Sequence, residues 1–481
     1  MKGELKDKVA QGVSWSMAEK AGSTLLQVVV SIVLLRLLLP EDLGVIALLT
    51  SFSAIALIVV DSGFSQTLIR KLDPHPNEYK SVFLFNIAVS VVLYLLLVAF
   101  SPVVAWYYDK PIILSLAPVF FLQVPINALC VIQNTLFTRQ FRFSLLSKII
   151  FASSFVSGAV AVGMALAGCG VWSIVAQQLT MMSVRAGLLW WGSAWRPTAR
   201  FDGKTLRAMA PFSLSLMTTD LITTLYNKIP QLIFGKFYSV DALGYFDAAR
   251  KFKDQSVTSV VSSVQNVTFP ALANIAGDER KFAESYRQVV MVVAFVMFPA
   301  MLGLIAVAED LFTILVGAKW LPTIPYLRVF CLIGLFYPVG MVAYNVLKVK
   351  ANGGVIVRLE IIKKIVMTAI LVLTIFHSVM AVVWGLVGMS CIEMCLNVGT
   401  AQRFTILPLH RLLRTILPIA LISVVMYLIT LGVGALVANS TLRLVSEIFT
   451  GVVVYLSLAA LFRLEAFREM TSMLRRQLKR S

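Results

Sequence analysis

Residues 217–236 read MTTDLITTLYNKIPQLIFGK, and residues 17–36 read MAEKAGSTLLQVVVSIVLLR. In the first string Asp220, Thr223, Thr224, Asn227, Lys228 and Gln231 fall at spacings 0, 3, 4, 7, 8 and 11, which is one face of an α-helix. The second string, with Ser16 just before it, sets Lys20, Ser23, Thr24, Gln27 and Ser31 on one face, with Glu19 alongside. A shift of 200 residues lays Lys20 on Asp220, Ser23 on Thr223, Thr24 on Thr224, Gln27 on Asn227, Ser31 on Gln231 and Arg36 on Lys236. An apolar helix with a polar stripe therefore occurs twice, which marks a duplicated helical bundle.

The repeat continues outward from these strings. Leu43 meets Leu243 and Gly44 meets Gly244. At a shift of 211, Asn134-Thr135-Leu136 meets Asn345-Val346-Leu347, and at 212 Val171-Trp172 meets Val383-Trp384. About 20 apolar residues cross a bilayer as a helix. Fourteen segments qualify: 10–38, 41–66, 79–105, 111–137, 144–168, 170–192, 209–236, 241–275, 285–307, 322–348, 358–378, 381–404, 412–437 and 441–462. Pro118, Pro125, Pro299, Pro322, Pro325 and Pro338 are kink sites within them. The expected fold is an all-α polytopic membrane protein. Residues 1–192 form an N-lobe of six spans, 193–208 a cytoplasmic linker and 209–405 a C-lobe of six spans. Two further spans lie within 406–462, and 463–481 is a basic tail with Leu464, Phe467, Met470, Leu474 and Leu478 at near-helical spacing, as on an inner-leaflet amphipathic helix. Because six is even, both lobes enter the membrane from the same side, so the pseudo-two-fold axis runs along the membrane normal.

Composition leads to the same class. The chain is 59% hydrophobic and 14% charged, with a mean hydropathy of +0.86, a balance that excludes both a soluble globule and a disordered chain. The net charge is +18, yet its placement argues against nucleic acid. The N-terminus and every second loop after it hold 30 Lys and Arg, whereas the opposite loops hold only Arg36, Lys110, Lys236, Lys319 and Arg443. The positive-inside rule then puts both termini in the cytoplasm, and the basic excess serves topology and anionic lipid of the cytoplasmic leaflet. No loop is long enough for a soluble catalytic domain, so no enzyme is expected. Gly203-Lys204-Thr205 has Thr198 where a phosphate loop needs glycine, so no nucleotide site is read there. The five cysteines lie in apolar stretches without metal-ligand spacing and are read as packing residues. No metal or cofactor is expected.

Polar side chains are costly in lipid and usually face protein or water. In the eighth span Asp247, Arg250, Lys251 and Asp254 share a face that leads on to Thr258, Ser262, Gln265 and Asn266, a run of about 29 Å at 1.5 Å per residue. The second span adds Thr50, Asp61 and Ser65. Two readings stand side by side. The stripes are interhelical glue at about 0.6 kcal/mol per bond, or they line a hydrated cavity between the halves. Charge favours the cavity for Lys20, Asp61, Asp220, Lys228, Arg250 and Asp254, because an uncompensated charge in mid-membrane costs several kcal/mol. A cavity this long suits a large polar, anionic cargo better than a compact ion. The candidate substrate-binding residues are Lys20, Gln27, Asp61, Asp220, Asn227, Lys228, Arg250, Lys251, Lys253 and Asp254. Arg36 and Lys236, at the outer ends of matching spans, either snorkel to headgroups or gate the cavity.

Several strings also resemble a known family. They are Val60-Asp61-Ser62-Gly63-Phe64-Ser65 with Leu68-Ile69-Arg70, Leu37-Leu38-Leu39-Pro40-Glu41-Asp42-Leu43-Gly44, and Phe234-Gly235-Lys236-Phe237-Tyr238-Ser239 through Leu243-Gly244-Tyr245. Val267-Thr268-Phe269-Pro270 and Lys319-Trp320-Leu321-Pro322 complete the set. Together, over residues 5–405, they resemble bacterial polysaccharide transporters of the Wzx-like, colanic-acid-exporter type. These lie within the multidrug/oligosaccharidyl-lipid/polysaccharide flippase superfamily. The resemblance implies a two-lobed alternating-access fold in the bacterial inner membrane. It implies a lipid-linked oligosaccharide as cargo, carried on undecaprenyl pyrophosphate for lipopolysaccharide or exopolysaccharide assembly, and partnership with polysaccharide polymerase or assembly proteins. It also implies a cationic cavity, a role open here to Lys20, Lys228, Arg250, Lys251 and Lys253, which Asp61, Asp220, Asp247 and Asp254 dilute. A peptidoglycan lipid-precursor flippase and a drug/cation antiporter of the same superfamily are the alternatives.

Overall fold

The computed structural model describes residues 22–71, 73–469 and 471, except for the side chains of 258–267 and 269–271. Among the described residues every long element is helical. The order is α1 (Gly22–Leu37), α2 (Pro40–Asp61), α3 (Phe64–Arg70), α4 (Pro76–Tyr108), α5 (Ile112–Phe120), α6 (Gln123–Arg139), α7 (Phe143–Leu166) and α8 (Trp172–Gly192). Then follow α9 (Gly203–Phe237), α10 (Val240–Asn274), α11 (Glu279–Leu315), α12 (Thr323–Lys350), α13 (Gly353–Ile375), α14 (Val379–Ala401), α15 (Leu409–Leu436) and α16 (Ser440–Leu461). With α2–α3 and α5–α6 each taken as one interrupted rod, fourteen rods result among the described residues, at the places the apolar segments predict. The chain is a multi-pass membrane protein. Nine rods are long and apolar enough to cross a membrane. The other four long ones, α8, α9, α10 and α13, are the more polar.

Local chemistry sets where the helices start. Asp202, Asp278, Ser378 and Asn439 accept hydrogen bonds from backbone N–H groups of the first turns of α9, α11, α14 and α16, filling donors that a helix end leaves open. Pro40 and Pro76 occupy first-turn positions of α2 and α4, where a missing N–H costs nothing. Pro118 lies near the end of α5, next to the α5–α6 break, while Pro299 and Pro338 sit inside α11 and α12.

The chain divides into two compact units, residues 1–247 and 248–481. In the first, α4 packs on α2, α5, α6 and α9, and α8 on α6 and α7. Its core includes Phe64, Leu68, Val82 and Ile132, with the Phe83 ring edge-on to Trp190 and Trp195. Cys130 is buried, whereas Cys169 is exposed and so does not pack in the core.

Two features of this unit explain strings singled out above. Asp61-Ser62-Gly63 ends α2 and starts α3, with Ser62 and Gly63 both left-handed, at φ 49 and 69. A Cβ on Gly63 would crowd the Ser213 carbonyl of α9, and Thr67 Oγ1 lies 2.7 Å from Ser213 Oγ. Glycine is needed there for both φ and close approach. The second feature is a reciprocal crossing of α2 and α10. A Cβ on Gly44 would overlap the Val240 carbonyl, and a Cβ on Gly244 would overlap the Pro40 carbonyl. The shift of 200 carries Pro40 to Val240 and Gly44 to Gly244, so each contact is the other's mate, as a two-fold axis requires. The repeat's pseudo-symmetry is thus present as a physical contact.

In the second unit α11 packs against α12, α15 and α16, and α14 against α12 and α13. Phe282, Tyr286, Val290 and Phe295 of α11 are buried, and the Tyr455 hydroxyl of α16 donates to the Phe295 carbonyl at 2.8 Å. Arg443 of α16 pairs through two nitrogens with the buried Asp310 of α11. Cys331 is buried and Cys395 exposed.

Candidate functional site

The polar face of α9 has two environments. At its ends the helix is packed, by Met209 and Ser213 on one side and by Pro230, Gln231, Phe234 and Gly235 on the other. Between those ends Asp220, Thr223 and Asn227 are exposed and Lys228 is half-buried. Thr223 returns its hydroxyl to the Thr219 carbonyl at 2.9 Å. Asp61, at the end of α2, is an electrostatic neighbour of Asp220, and one of its carboxylate oxygens is buried without a hydrogen-bond partner. Gln27 is exposed on α1. Lys20 lies outside the described residues, as do the side chains of Thr258, Ser262, Gln265 and Asn266.

The packed end of the stripe behaves as glue. Ser51 Oγ donates to Gln231 Oε1 at 3.2 Å, and Gln231 Nε2 donates to Asp247 Oδ1 at 2.7 Å. All three residues are buried, so this chain ties α2, α9 and α10 together and has no room for cargo. Gly235 is closed in by Leu48 and Tyr108, and the Tyr108 hydroxyl donates to the Leu232 carbonyl at 3.0 Å. Lys236 donates to the Tyr107 carbonyl at 2.7 Å and lies 4.2 Å from the Tyr107 ring centre. Arg36 is exposed.

In the second unit, the visible part of the α10 stripe is a charge cluster. Arg250 Nε is 3.5 Å from Asp254 one turn on, and the mostly buried Lys253 also pairs with Asp254. Lys251 is exposed. Asp254 bears electrostatically on Tyr337 of α12, and so does Glu393 of α14.

That link leads to residues the stripes do not reveal. Lys363 of α13 is buried, with its ammonium 2.8 Å from Glu360 and 3.5 Å from Glu393. Its neighbours line a polar cavity of about 160 Å³ among α12, α13 and α14. In the sequence Lys363 and Lys364 look like loop charges at the edge of a span. The usable signal was Glu393, an acid inside the apolar run of α14 that requires a partner. A second cavity, of about 570 Å³, is apolar and opens among α11, α15 and α16, with Glu447 and Thr430 in its wall.

Residues 33–325 match the family described as "Polysaccharide biosynthesis protein". The teichuronic acid biosynthesis protein TuaB of Bacillus subtilis is 25% identical over 335 residues, 68% of each chain. The succinoglycan biosynthesis transport protein ExoT of Rhizobium meliloti is 25% identical over 324 residues, 67% of this chain and 66% of that protein. Among solved structures, the lipid II flippase MurJ in an inward closed conformation superposes with a TM-score of 0.73 at 14% identity, over 96% of this chain and 100% of that one. That likeness is one of fold. With the match spanning more than half of the chain, this protein belongs to the polysaccharide biosynthesis protein family.

Proposed function

We propose that this protein moves an undecaprenyl-pyrophosphate-linked oligosaccharide from the inner to the outer leaflet of the bacterial inner membrane, for lipopolysaccharide or exopolysaccharide assembly. The observation that carries this reading is the exposed polar middle of α9, where Asp220, Thr223 and Asn227 stand between two packed ends. Against hydrocarbon such a face costs several kcal/mol, whereas water or a sugar satisfies it. The family and the transport protein among its relatives support a carrier over an enzyme. In this mechanism residues 1–192 rock against 209–405, both termini stay cytoplasmic, and the polyprenyl tail remains in lipid. Lys228, Arg250 and their basic neighbours hold pyrophosphate or acidic sugars, while Arg36 and Lys236 control the outer end. A second reading, flipping of a peptidoglycan lipid precursor, is favoured by the fold likeness to a lipid II flippase.

The test is a vesicle assay with a fluorescent undecaprenyl-pyrophosphate oligosaccharide whose outer-leaflet label is bleached. Lys228→Ala and Arg250→Ala should each slow flipping about tenfold, the equivalent of about 1.4 kcal/mol of lost anion contact, with membrane insertion unchanged. Wild-type rates in both variants count against the proposed roles.

A further inference from the structure

Three helix faces meet at the cavity among α12, α13 and α14. On α12, Tyr337, Met341 and Tyr344 fall at spacings 0, 4 and 7, and on α14, Ser390, Glu393, Met394 and Asn397 fall at 0, 3, 4 and 7. Each set is one side of a helix. Glu360 and Lys363 close the space from α13. The cavity, of about 160 Å³, lies in the second halves of α12 and α14 and the first half of α13. Those ends carry Lys348, Lys350, Arg358 and Arg403, which makes them the cytoplasmic ends under the positive-inside rule.

Charge balances in this wall. Lys348 and Lys363 stand against Glu360 and Glu393, and the Lys363 ammonium engages both carboxylates, at 2.8 and 3.5 Å. Both lysines also lie near the Tyr344 ring centre, at 5.0 and 4.6 Å. An ion or a zwitterion gains little from groups that already satisfy one another. What stays open is neutral. Ser390 and Asn397 are more than nine-tenths buried, yet Ser390 Oγ and Asn397 Oδ1 have no hydrogen-bond partner. Asn397 Nδ2 is held by the Gly340 carbonyl at 3.1 Å. Buried polar atoms of this kind call for a partner. A hydroxyl, which both donates and accepts, suits Ser390, Asn397 Oδ1 and the two carboxylates, whose side chains are 39% and 35% exposed. Water meets the polar atoms equally well, but Tyr337, Met341 and Met394 give the same wall apolar surface that water does not use. A sugar ring offers both, hydroxyls at its rim and C–H groups on its faces, which rest well on aromatic rings.

We propose that this cavity binds one neutral sugar unit of the cargo, with Ser390 and Asn397 meeting its hydroxyls and Tyr337 its apolar face. A few placed polar groups in an otherwise apolar and aromatic wall fix a ligand's orientation. The basic cluster of α10 adjoins the cavity, since Tyr337 feels both Asp254 and Glu393. Pyrophosphate held by Arg250 therefore leaves its attached sugars beside this wall. As a cargo subsite this rests on the carrier reading given above; as a saccharide site it stands without it.

Saturation-transfer NMR on the full-length protein in lipid nanodiscs tests it. The methyl glycosides of glucose, galactose and N-acetylglucosamine are the neutral probes; glucuronate, glucosamine and glycine are the anionic, cationic and zwitterionic ones. At least one neutral probe should receive magnetisation from the protein, and more than any charged probe. Ser390→Ala should weaken its binding about fivefold, as the loss of one neutral hydrogen bond does. The same substitution removes a buried hydroxyl that has no partner in the empty protein, so the melt without saccharide should fall no lower than wild type. A serine with a merely structural role would lower it. Transfer to none of the neutral probes, which means a cavity of water alone, overturns the proposal. So does binding unchanged in Ser390→Ala, or a charged probe that binds best. In the vesicle assay Ser390→Ala should slow flipping about fivefold, matching the lost hydrogen bond, and the bound glycoside should compete with the cargo. Flipping indifferent to both overturns the assignment to cargo. Glycoside binding by a protein that does not flip refutes the carrier reading alone, and flipping without glycoside binding refutes the sugar site alone.

Discussion

The repeat aligns α6–α8 with α12–α14, and the two trios treat charge in opposite ways. From Lys110 to Phe201, which includes all of α6, α7 and α8, no Asp or Glu occurs. In the middle of α8, Arg185 donates to Asn134 at 3.3 Å and leaves its Nε without a partner. Its repeat mate at a shift of 212 is Asn397, and the mate of Asn134 at 211 is Asn345. On the other side stand two carboxylates around one buried lysine. α7 buries Ser153, Ser154, Ser157, Gly158 and Ala161, small residues that allow close approach, where α13 buries Lys363. One trio is thus packed through small residues, and its counterpart is held by a cluster of ion pairs.

Removing the two cations separately is the strongest way to break this comparison. Lys363→Met removes the buried ammonium shared by two partly exposed carboxylates and should cost about 2–3 kcal/mol, read as a fall in midpoint in a thermal melt of the detergent-solubilised protein. Arg185→Met strands no carboxylate and should stay within about 1 kcal/mol of wild type. Equal losses would mean that the two trios carry charge alike. Next in size is the feature the halves share. Gly44→Ala and Gly244→Ala each push a methyl group into a backbone carbonyl that cannot rotate away, at about 1–3 kcal/mol, and the two costs should match because the contacts are mates. A variant with wild-type stability would show that the crossing is looser than described.

The smallest effect contrasts a buried ion pair with one at the surface. Arg287 Nη1 donates to Glu465 Oε2 at 2.7 Å, and these hydrogen bonds hold the Glu465 carboxyl below its ordinary range. A lowered carboxyl contributes stability above the unfolded value, about 4.3, and loses it as pH falls through the lowered folded value. Glu465 is about half exposed, so the contribution should be about 1 kcal/mol or less. Glu465→Gln should remove that part of the acid sensitivity of the melt and little else. A slope unchanged by the substitution would leave this pair without energetic weight.

Hydropathy and the repeat were enough to locate the rods to within a few residues for nearly all of them, because a bilayer imposes length and apolarity on each segment. The match of Gly44 with Gly244 was visible, but not that Gly44 meets Val240 and Gly244 meets Pro40, since a repeat shows which residues correspond and not which meet. Gln231 and Asp247 were read with the polar stripes, yet they are buried in a chain with Ser51. A stripe's periodicity gives its face and not what that face meets. Glu360, Lys363 and Glu393 escaped notice because two look like loop charges and the third is thirty residues away from its partner. No comparison of halves finds them, as the other half has no acid there.

The close approaches at Gly44 and Gly244 have a structural consequence. Most helix pairs interlock like gear teeth, ridge into groove, and turning one against the other means lifting side chains out of their seats. At this crossing Gly44 faces Val240 and Gly244 faces the Pro40 main chain, so each rod has a bare spot where a side chain would otherwise stand. The crossing therefore brings the two axes closer together than side chains would allow, and the buried Ser51–Gln231–Asp247 chain a short way along both rods holds it at that distance.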